Sequence, residues 1–338
     1  MKLNSSVKNI TALNNLTAIT KEDFTRVALN IFQFQHRHNP LYHQFCNALH
    51  INPSSVTAIN QIPFLPVAFF KTHTIATTTF EPAAVFESSG TTQTINSKHF
   101  VKDIALYEES FNTAFRLFYG DPKDWCIIAL LPSYLERSNS SLIMMADKLI
   151  EQSAHAQSGF YLHDLEKLHY TITSLENQQQ KTLLLGVTFA LLDFAEQYPM
   201  HLQYTTIMET GGMKGRRREM TRQEVHDILC TSFKVNVIHS EYGMTELLSQ
   251  AYSTGHGIFS CPPWMKVLVR EEDDPLTVLS ANKENIVSGA VNVIDLANIY
   301  SCSFIATDDA AKLYPDESFE ILGRLDNSDI RGCSLLSL

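Results

Sequence analysis

Residues 86–94 read Phe-Glu-Ser-Ser-Gly-Thr-Thr-Gln-Thr, a run of small hydroxyl residues around one glycine. Gly90 lets a ligand approach the backbone closely, and successive N–H groups of such a loop can point at phosphate oxygens. The hydroxyl side chains that add further hydrogen-bond donors are Ser88, Ser89, Thr91 and Thr92. The segment is not a Walker A loop, because the required lysine is missing. Alone it is also typical of a polar surface turn, so a phosphate site needs support from elsewhere in the chain.

The composition limits the class of protein. The chain has 338 residues, 44% of them hydrophobic, and a formal net charge of −10. These values fit a globular protein of one or two domains, and the acidic balance argues against nucleic-acid binding. No apolar run approaches the roughly 20 residues that span a bilayer, so we expect no integral membrane segment. The six cysteines are scattered without a C-x-x-C pair, which predicts a cytoplasmic protein.

The order of apolar patterns predicts a layered α/β fold. Helical spacing dominates the first 80 or so residues, and one helix is predicted over residues 21–35 with Thr20 as its N-cap. The strand candidates that follow, separated by amphipathic helices, are residues 125–131, 182–185, 204–208 and 235–239. This alternation predicts a largely parallel sheet. Shorter strands after residue 258 predict a smaller β-rich subdomain.

Two glycine-bearing loops follow strand candidates directly, at residues 210–215 and 240–246. In parallel sheets, ligands bind outside the carboxyl ends of the strands. Gly211 and Gly212 offer flat backbone on which a purine can lie. In the second loop, which we expect to begin a helix, the candidate ligands of a nucleotide and its Mg²⁺ are Tyr242, Gly243, Thr245 and Glu246. The tyrosine ring can stack on adenine, the hydroxyl can bond a phosphate, and the carboxylate can hold Mg²⁺.

Two later segments complete a possible ATP site. Asp309 follows Thr307 and Asp308, and its carboxylate can accept hydrogen bonds from both ribose hydroxyls. Arg324 lies fifteen residues further on and can place a guanidinium near the same sugar and phosphate. Each segment also has an ordinary explanation, as a core ring, a loop cap or a chance pair. Their order along the chain favours a nucleotide site.

These segments resemble the motifs of the adenylate-forming superfamily, which includes acyl-CoA synthetases, luciferases and peptide-synthetase adenylation domains. The matching motifs are the phosphate loop at 88–92, Y-G-x-T-E at 242–246, T-G-D at 307–309 and G-R-x-D at 323–326. Asp308 and Gln93 stand where the superfamily usually has glycine. The resemblance implies ATP and Mg²⁺ as cofactors and a layered α/β/α adenylating domain. It also implies the division of the chain into a helical region (1–80), the adenylating domain (80–322) and a hinge-like tail (323–338).

The closest likeness within that superfamily is to the acyl-protein synthetases of bacterial bioluminescence fatty acid reductase systems. The segments that carry it are residues 62–66, 131–137, 209–216 and 330–333. The family implies that ATP and a fatty acid give an acyl-adenylate and pyrophosphate, and that the acyl group then passes to a cysteine near the C-terminus. A partner reductase would receive it. We predict Cys333 as the acceptor, with Arg331 lowering the pKa of its thiol.

The chain departs from the superfamily mainly in the source of positive charge at the α-phosphate. In the superfamily, a catalytic lysine from a further mobile domain supplies this charge. This chain ends fifteen residues after Gly323, and no lysine follows Lys312. We therefore expect that domain to be absent or vestigial. The cations that can replace its lysine are Arg324, Arg331 and Lys214. Two alternatives stay open: a non-catalytic subunit that binds nucleotide or acyl chains, and a CoA ligase of the phenylacetate type.

Overall fold

The computed structural model describes residues 16–88, 95–132, 139–211, 220–279 and 285–325. The α-helices of these residues are α1 (Phe24–His38), α2 (Pro40–Ala48), α3 (Phe69–Thr72), α4 (Ile104–Tyr119), α5 (Ser141–Ser153), α6 (Leu165–Asn177), α7 (Thr188–Gln197) and α8 (Arg222–Phe233). Short 3-10 helices occupy Leu16–Ala18, Pro53–Ser55, Ile59–Gln61 and Pro122–Asp124. Within these ranges, no helix combines the length and apolar character that a membrane crossing requires.

The first sheet contains six strands and is parallel except at one edge. In spatial order its strands are β5 (Gly159–Phe160), β4 (Cys126–Leu130), β6 (Thr182–Val187), β7 (Thr205–Thr210), β8 (His239–Tyr242) and β9 (Ala251–Ser253). Neighbouring strands pair in parallel apart from β8 and β9. Every residue of β4 and β6 is buried, as is typical of strands covered by connecting helices on both faces.

The second sheet is mostly antiparallel. In spatial order its strands are β10 (Ile258–Phe259), β15 (Phe319–Arg324), β14 (Phe304–Leu313), β13 (Val287–Asp295), β11 (Met265–Arg270) and β12 (Val278–Leu279). A short strand from the N-terminal region, β1 (Leu65–Pro66), joins β14 in parallel. A separate antiparallel hairpin consists of β2 (Ala84–Glu87) and β3 (Lys98–Val101). The predicted β-rich region after residue 258 is confirmed.

The helical N-terminal region is fixed to the second sheet through α1. Gln35 of this helix is fully buried. Its side-chain amide donates to the carbonyl oxygens of Asn298 at 3.0 Å and Ile299 at 2.9 Å. Its side-chain oxygen accepts from the backbone N–H of Ser303 at 3.0 Å. These bonds hold α1 against the turn that joins β13 to β14.

Two predictions at the edge of the first sheet are wrong. The strand predicted over residues 235–239 lies at His239–Tyr242, because pairing with β7 begins where His239 stands opposite Met208. The helix predicted to begin in the 240–246 loop is also wrong. Residues 243–250 form turns and irregular backbone that lead into β9. The chain reverses here to run antiparallel beside β8, which leaves no room for a helix.

The other predicted strands and the first helix are confirmed with shifted ends. The helix predicted over residues 21–35 begins at Phe24. Thr20 does not cap it directly, and its hydroxyl oxygen instead accepts from the backbone N–H of Asp23 at 3.3 Å in the preceding turn. The apolar spacing therefore located the helix, whereas its first turn was decided by local hydrogen bonds.

Candidate nucleotide and acid site

The β2–β3 hairpin holds the two ends of the predicted phosphate loop together. The backbone N–H of Ser88 donates to the carbonyl of Ser97 at 3.1 Å. In return, the N–H of Ser97 donates to the hydroxyl oxygen of Ser88 at 2.9 Å. Ser88 is thus a fixed residue at the base of the loop. The other predicted phosphate ligands, at positions 89–92, lie outside the described residues.

Glu246 lies beside this base, with 5% of its surface exposed. Its carboxyl is hydrogen-bonded to the side chain of Ser97. Burial raises the pKa of Glu246, while the Ser97 bond and the positive charges of Arg324 and Lys71 oppose the increase. The carboxyl predicted to hold Mg²⁺ is therefore close to the base of the phosphate loop, among groups that favour its charged form.

The backbone of the Thr245–Glu246 segment is held by two buried side chains. Nδ1 of His99, in β3, lies 2.8 Å from the carbonyl oxygen of Thr245. The side-chain amide of Asn298 donates to the carbonyl of Glu246 at 2.7 Å. Asn298 Oδ1 also lies 3.0 Å from Nε2 of His99. The two consecutive carbonyls are therefore fixed from the hairpin on one side and from the second sheet on the other.

A second group of predicted residues meets where the two sheets approach each other. Tyr242, at the end of β8, donates its hydroxyl to Asp309 Oδ2 at 2.8 Å. Asp309 pairs across the second sheet with Arg324, whose Nε lies 3.7 Å from Asp309 Oδ1. Burial raises the pKa of Asp309, and the tyrosine hydroxyl and the guanidinium oppose this increase. The charge of Arg324 also opposes the rise in the pKa of Glu246, and this charge links the two groups of residues.

The glycines of this site lie against the ends of β7 and β8. Gly211 has a φ of +73°, which favours glycine, and its carbonyl accepts from the Thr188 hydroxyl at 2.6 Å. Gly243 has no room for a side chain, because a Cβ would collide with the Glu241 carboxyl. Glu241 is itself buried and accepts a hydrogen bond from the hydroxyl of Thr210. Gly211 and Gly243 are both exposed, and the Glu241 carboxyl occupies the side of Gly243 on which a side chain would stand.

A buried ion pair fixes β7 to the second sheet next to the site. Glu209 Oε1 lies 3.2 Å from Nε of Arg222 and 3.7 Å from Nε2 of His226. Arg222 also donates to the carbonyl of Ile321, in β15, at 3.1 Å. Burial alone would raise the pKa of Glu209, but the His226 bond and the Arg222 charge lower it overall. The strand that ends at Arg324 is thereby connected to α8 and β7.

The sequence profile described as "Acyl-protein synthetase, LuxE" matches residues 16–337, which is nearly the whole chain. The chain belongs to the LuxE family of acyl-protein synthetases. No curated protein sequence matches it.

Solved structures of adenylate-forming enzymes are similar in fold. ATP-bound MatB from Rhodopseudomonas palustris has a TM-score of 0.52 and 15% identity, with 72% of this chain and 48% of MatB covered. O-succinylbenzoate coenzyme A synthetase from Bacillus subtilis, with ATP and magnesium ion, has a TM-score of 0.51 and 14% identity, covering 75% and 52%. A long-chain-fatty-acid-CoA ligase from Archaeoglobus fulgidus has a TM-score of 0.50 and 12% identity, covering 71% and 51%. The chain spans about half the length of these structures, and at such identities the likeness shows the fold. The predicted adenylate-forming α/β fold is confirmed.

The structure of this LuxE-family chain describes half of the predicted site residues. Those within the described residues are Ser88, Gly211, Tyr242, Gly243, Thr245, Glu246, Asp309 and Arg324. The predicted residues outside the described ranges are Ser89, Gly90, Thr91, Thr92, Gly212, Lys214, Arg331 and Cys333. For both sets, the assigned roles stay predictions.

Sequence reasoning missed four residues that contact or influence the site. They are Ser97, His99, Glu241 and Asn298. Asn298, a polar residue between Ala297 and Ile299, is a weak sequence signal for a buried polar contact. Nothing in the sequence indicates that the contact is with Thr245 and Glu246, because it depends on how the two sheets meet.

Proposed function

We propose that the protein activates a fatty acid, or another carboxylic acid, with ATP and passes the acyl group to its own Cys333. The observation that carries the proposal is the cluster of Tyr242, Asp309 and Arg324, whose guanidinium charge also acts on Glu246. It occurs in a chain of the LuxE family, whose profile covers residues 16–337. The carboxylates and the guanidinium have the chemistry that a ribose, a metal ion and a phosphate require.

In the first reaction, a carboxylate oxygen of the acid attacks the α-phosphorus of ATP. The bond between that phosphorus and the bridging oxygen breaks, and pyrophosphate leaves. Positioning and charge neutralisation supply most of the catalysis in such displacements. Asp309 would accept hydrogen bonds from the ribose hydroxyls, and Ser88 and Thr245 would bond phosphate oxygens. Glu246 would hold Mg²⁺, which neutralises phosphate charge when bound.

Arg324 is the candidate cation within the described residues. Its side chain is 79% exposed, so it is free to turn towards an incoming phosphate while staying close to Asp309. Arg331 and Lys214 are the other candidates, and both lie outside the described ranges. Arg324 has the stronger support, because its charge already acts on Asp309 and Glu246.

In the second reaction, the Cys333 thiolate attacks the acyl carbonyl, a thioester forms and AMP leaves. Arg331, two residues earlier, would favour the thiolate electrostatically. A partner acyl reductase would then take the acyl group. We infer a cytoplasmic setting, where ATP is available and a free thiol stays reduced.

Intact-mass analysis tests this proposal. Incubation with ATP, Mg²⁺ and a series of fatty acids is expected to add one acyl group that hydroxylamine removes. Cys333→Ala should abolish the adduct while ATP–pyrophosphate exchange continues. Cys230→Ala, at a half-buried cysteine of α8, is the matched control and should keep the adduct.

Other outcomes separate the two reactions. Exchange without any adduct would contradict acyl transfer to the protein but not adenylation. Acyl-CoA formation when CoA is added would favour the CoA ligase alternative. Glu246→Gln should lower exchange at least about tenfold, as expected for loss of a metal ligand. Unchanged exchange in that variant would remove Glu246 from the Mg²⁺ site.

A further inference from the structure

We propose that His99 and Asn298 are positioning residues, which hold the backbone of Thr245 and Glu246 in the orientation that the reaction needs. The catalytic part of this inference rests on the proposed adenylation. Neither side chain is offered as a ligand of the substrate. Each acts through a backbone carbonyl of the segment that carries the hydroxyl and the carboxylate.

The segment needs such support because it lies outside regular secondary structure. Residues 243–250 have no strand or helix ladder to satisfy their backbone groups, and buried backbone polar groups require partners. Asp295, the last residue of β13, accepts from the N–H of Leu248 at 2.7 Å and from the hydroxyl of Ser249 at 2.6 Å. His99 and Asn298 continue this support towards the N-terminus of the segment.

The protonation of His99 determines which of its contacts is a hydrogen bond. The ring is fully buried, and burial lowers its pKa to about 4 although both neighbouring acceptors oppose the shift. The neutral ring at pH 7 has one N–H. Both neighbours, the Thr245 carbonyl at 2.8 Å and Asn298 Oδ1 at 3.0 Å, can only accept, and we assign the N–H to Nδ1 because its contact is the shorter one. The contact of Nε2 with Asn298 Oδ1 is then between two lone pairs and is not a hydrogen bond.

The surroundings of His99 support a neutral ring. Phe70, from α3, packs edge-on against it with ring centroids 5.8 Å apart. The groups in contact with its nitrogens, the Thr245 carbonyl and the Asn298 side chain, are uncharged, and their preference for the charged ring is smaller than the effect of burial on its pKa. The bond to Thr245 is therefore expected to persist across the whole neutral pH range.

Loss of the His99 bond leaves a buried carbonyl without its donor and lets Glu246 move. A misplacement of about 1 Å at a reacting group can cost about a hundredfold in rate. We expect the loss to appear as a higher Mg²⁺ requirement of the reaction, because the Glu246 carboxyl projects from this backbone. It should exceed any effect on the overall stability of the protein.

Three substitutions test the inference. His99→Leu removes both nitrogens, His99→Asn places an amide donor near the Nδ1 position, and His99→Gln places one near the Nε2 position. We expect His99→Leu and His99→Gln to raise the Mg²⁺ concentration for half-maximal ATP–pyrophosphate exchange about tenfold. His99→Asn should recover most of the wild-type value. Thermal unfolding confirms that each variant is folded.

Hydrogen–deuterium exchange provides a readout without nucleotide. Amides of residues 243–248 should exchange about tenfold faster in His99→Leu and His99→Gln than in the wild type and His99→Asn. Equal exchange in all four proteins would overturn the inference, as would rescue by His99→Gln instead of His99→Asn. If the wild type shows no pyrophosphate exchange with any acid, the proposed adenylation fails. The deuterium comparison then still decides the positioning role.

Discussion

At the scale of single residues, Glu241 is an unusual member of the site. It is a carboxyl at the end of a buried strand, beside Thr210 and against the backbone of Gly243. Burial raises its pKa to about 7, the Thr210 hydroxyl opposes the shift, and the charge of Glu209 adds to it. Near neutral pH this group therefore changes charge inside the protein.

The stability of the protein should depend on the protonation of Glu241. The folded-state pKa of about 7 lies above the ordinary value of 4.5. The resulting stabilisation is complete below about pH 4.5 and is lost as the pH rises through 7. Between pH 5 and pH 8, the wild type should lose up to about 3 kcal/mol of unfolding free energy relative to Glu241→Gln. Urea unfolding of both proteins at the two pH values measures this difference.

A matched control is available at an exposed glutamate. Glu81→Gln changes the same functional group at the surface, and its unfolding free energy should follow that of the wild type across the pH range. Parallel curves for the wild type and Glu241→Gln would show that Glu241 titrates in the folded protein as it does in the unfolded one.

At this scale the sequence predicts residues that bind through side chains. Tyr242, Asp309 and Arg324 were identified from local motifs, and the structure brings them into contact. His99 and Asn298 were missed, because their partners are backbone carbonyls more than fifty residues away. A carbonyl has the same chemistry at every position, so no residue pattern records such a contact.

At the scale of secondary-structure elements, Arg222 joins three of them. It begins α8, pairs with Glu209 at the end of β7 and donates to the carbonyl of Ile321 in β15. The helix start itself is secured by a capping box between Thr221 and Glu224. Both partners of the ion pair are largely buried, so the pair differs from an ordinary surface salt bridge.

Removal of one partner of this pair should be costly. Arg222→Met leaves the Glu209 carboxylate buried without its cation, and we expect a loss of about 3 kcal/mol in unfolding free energy. Combining it with Glu209→Gln should restore much of the loss. Urea unfolding of the two single variants and the double variant measures the coupling.

The control for this double-mutant experiment is an exposed ion pair on α5. Lys148 and Glu151 are 3.0 Å apart, and Lys148→Met should cost less than about 1 kcal/mol. A loss of the same small size for Arg222→Met would show that solvent already screens the Glu209 pair.

Helices and strands were predicted correctly where the pattern of apolar residues was clear. The buried strand β6 is a continuous apolar run, and α1 shows clear helical spacing. The strand β8 was misplaced because its residues are polar. Ser240 and Glu241 are buried there through partners on β7 and α8, and such partners cannot be identified from the local sequence.

At the scale of the whole molecule, the helical N-terminal region and the second sheet share a polar core. Gln35 makes four hydrogen bonds to the turn between β13 and β14, and Asn39 adds one to the carbonyl of Ser301 at 3.0 Å. The same turn carries Asn298. The N-terminal helices therefore support the site indirectly.

Loss of the Gln35 side-chain amide should destabilise the molecule as a unit. Gln35→Leu removes one donor to the Asn298 carbonyl, the donor to the Ile299 carbonyl and the acceptor of the Ser303 N–H, which should cost about 3 kcal/mol of unfolding free energy. We expect one cooperative urea transition, seen alike by circular dichroism and by fluorescence of the two tryptophans. Gln44→Leu, at an exposed position of α2, should change the unfolding free energy by less than about 0.5 kcal/mol.

Two separate transitions would contradict this expectation. If the earlier transition alone responded to Gln35→Leu, the N-terminal region would be an independent folding unit. The predicted boundary near residue 80 would then mark a true domain border.

The position of Gln35 also has a consequence for folding on the ribosome. Its partners are 263 to 268 residues further along the chain. Likewise, β1 cannot pair until β14 has been synthesised. During synthesis, α1 therefore emerges long before the surface that covers it has been made. Its apolar face stays exposed on the nascent chain for most of translation, a state that is prone to aggregation and is commonly bound by chaperones. The yield of folded protein should consequently depend on chaperone supply more than the stability of the finished molecule would indicate.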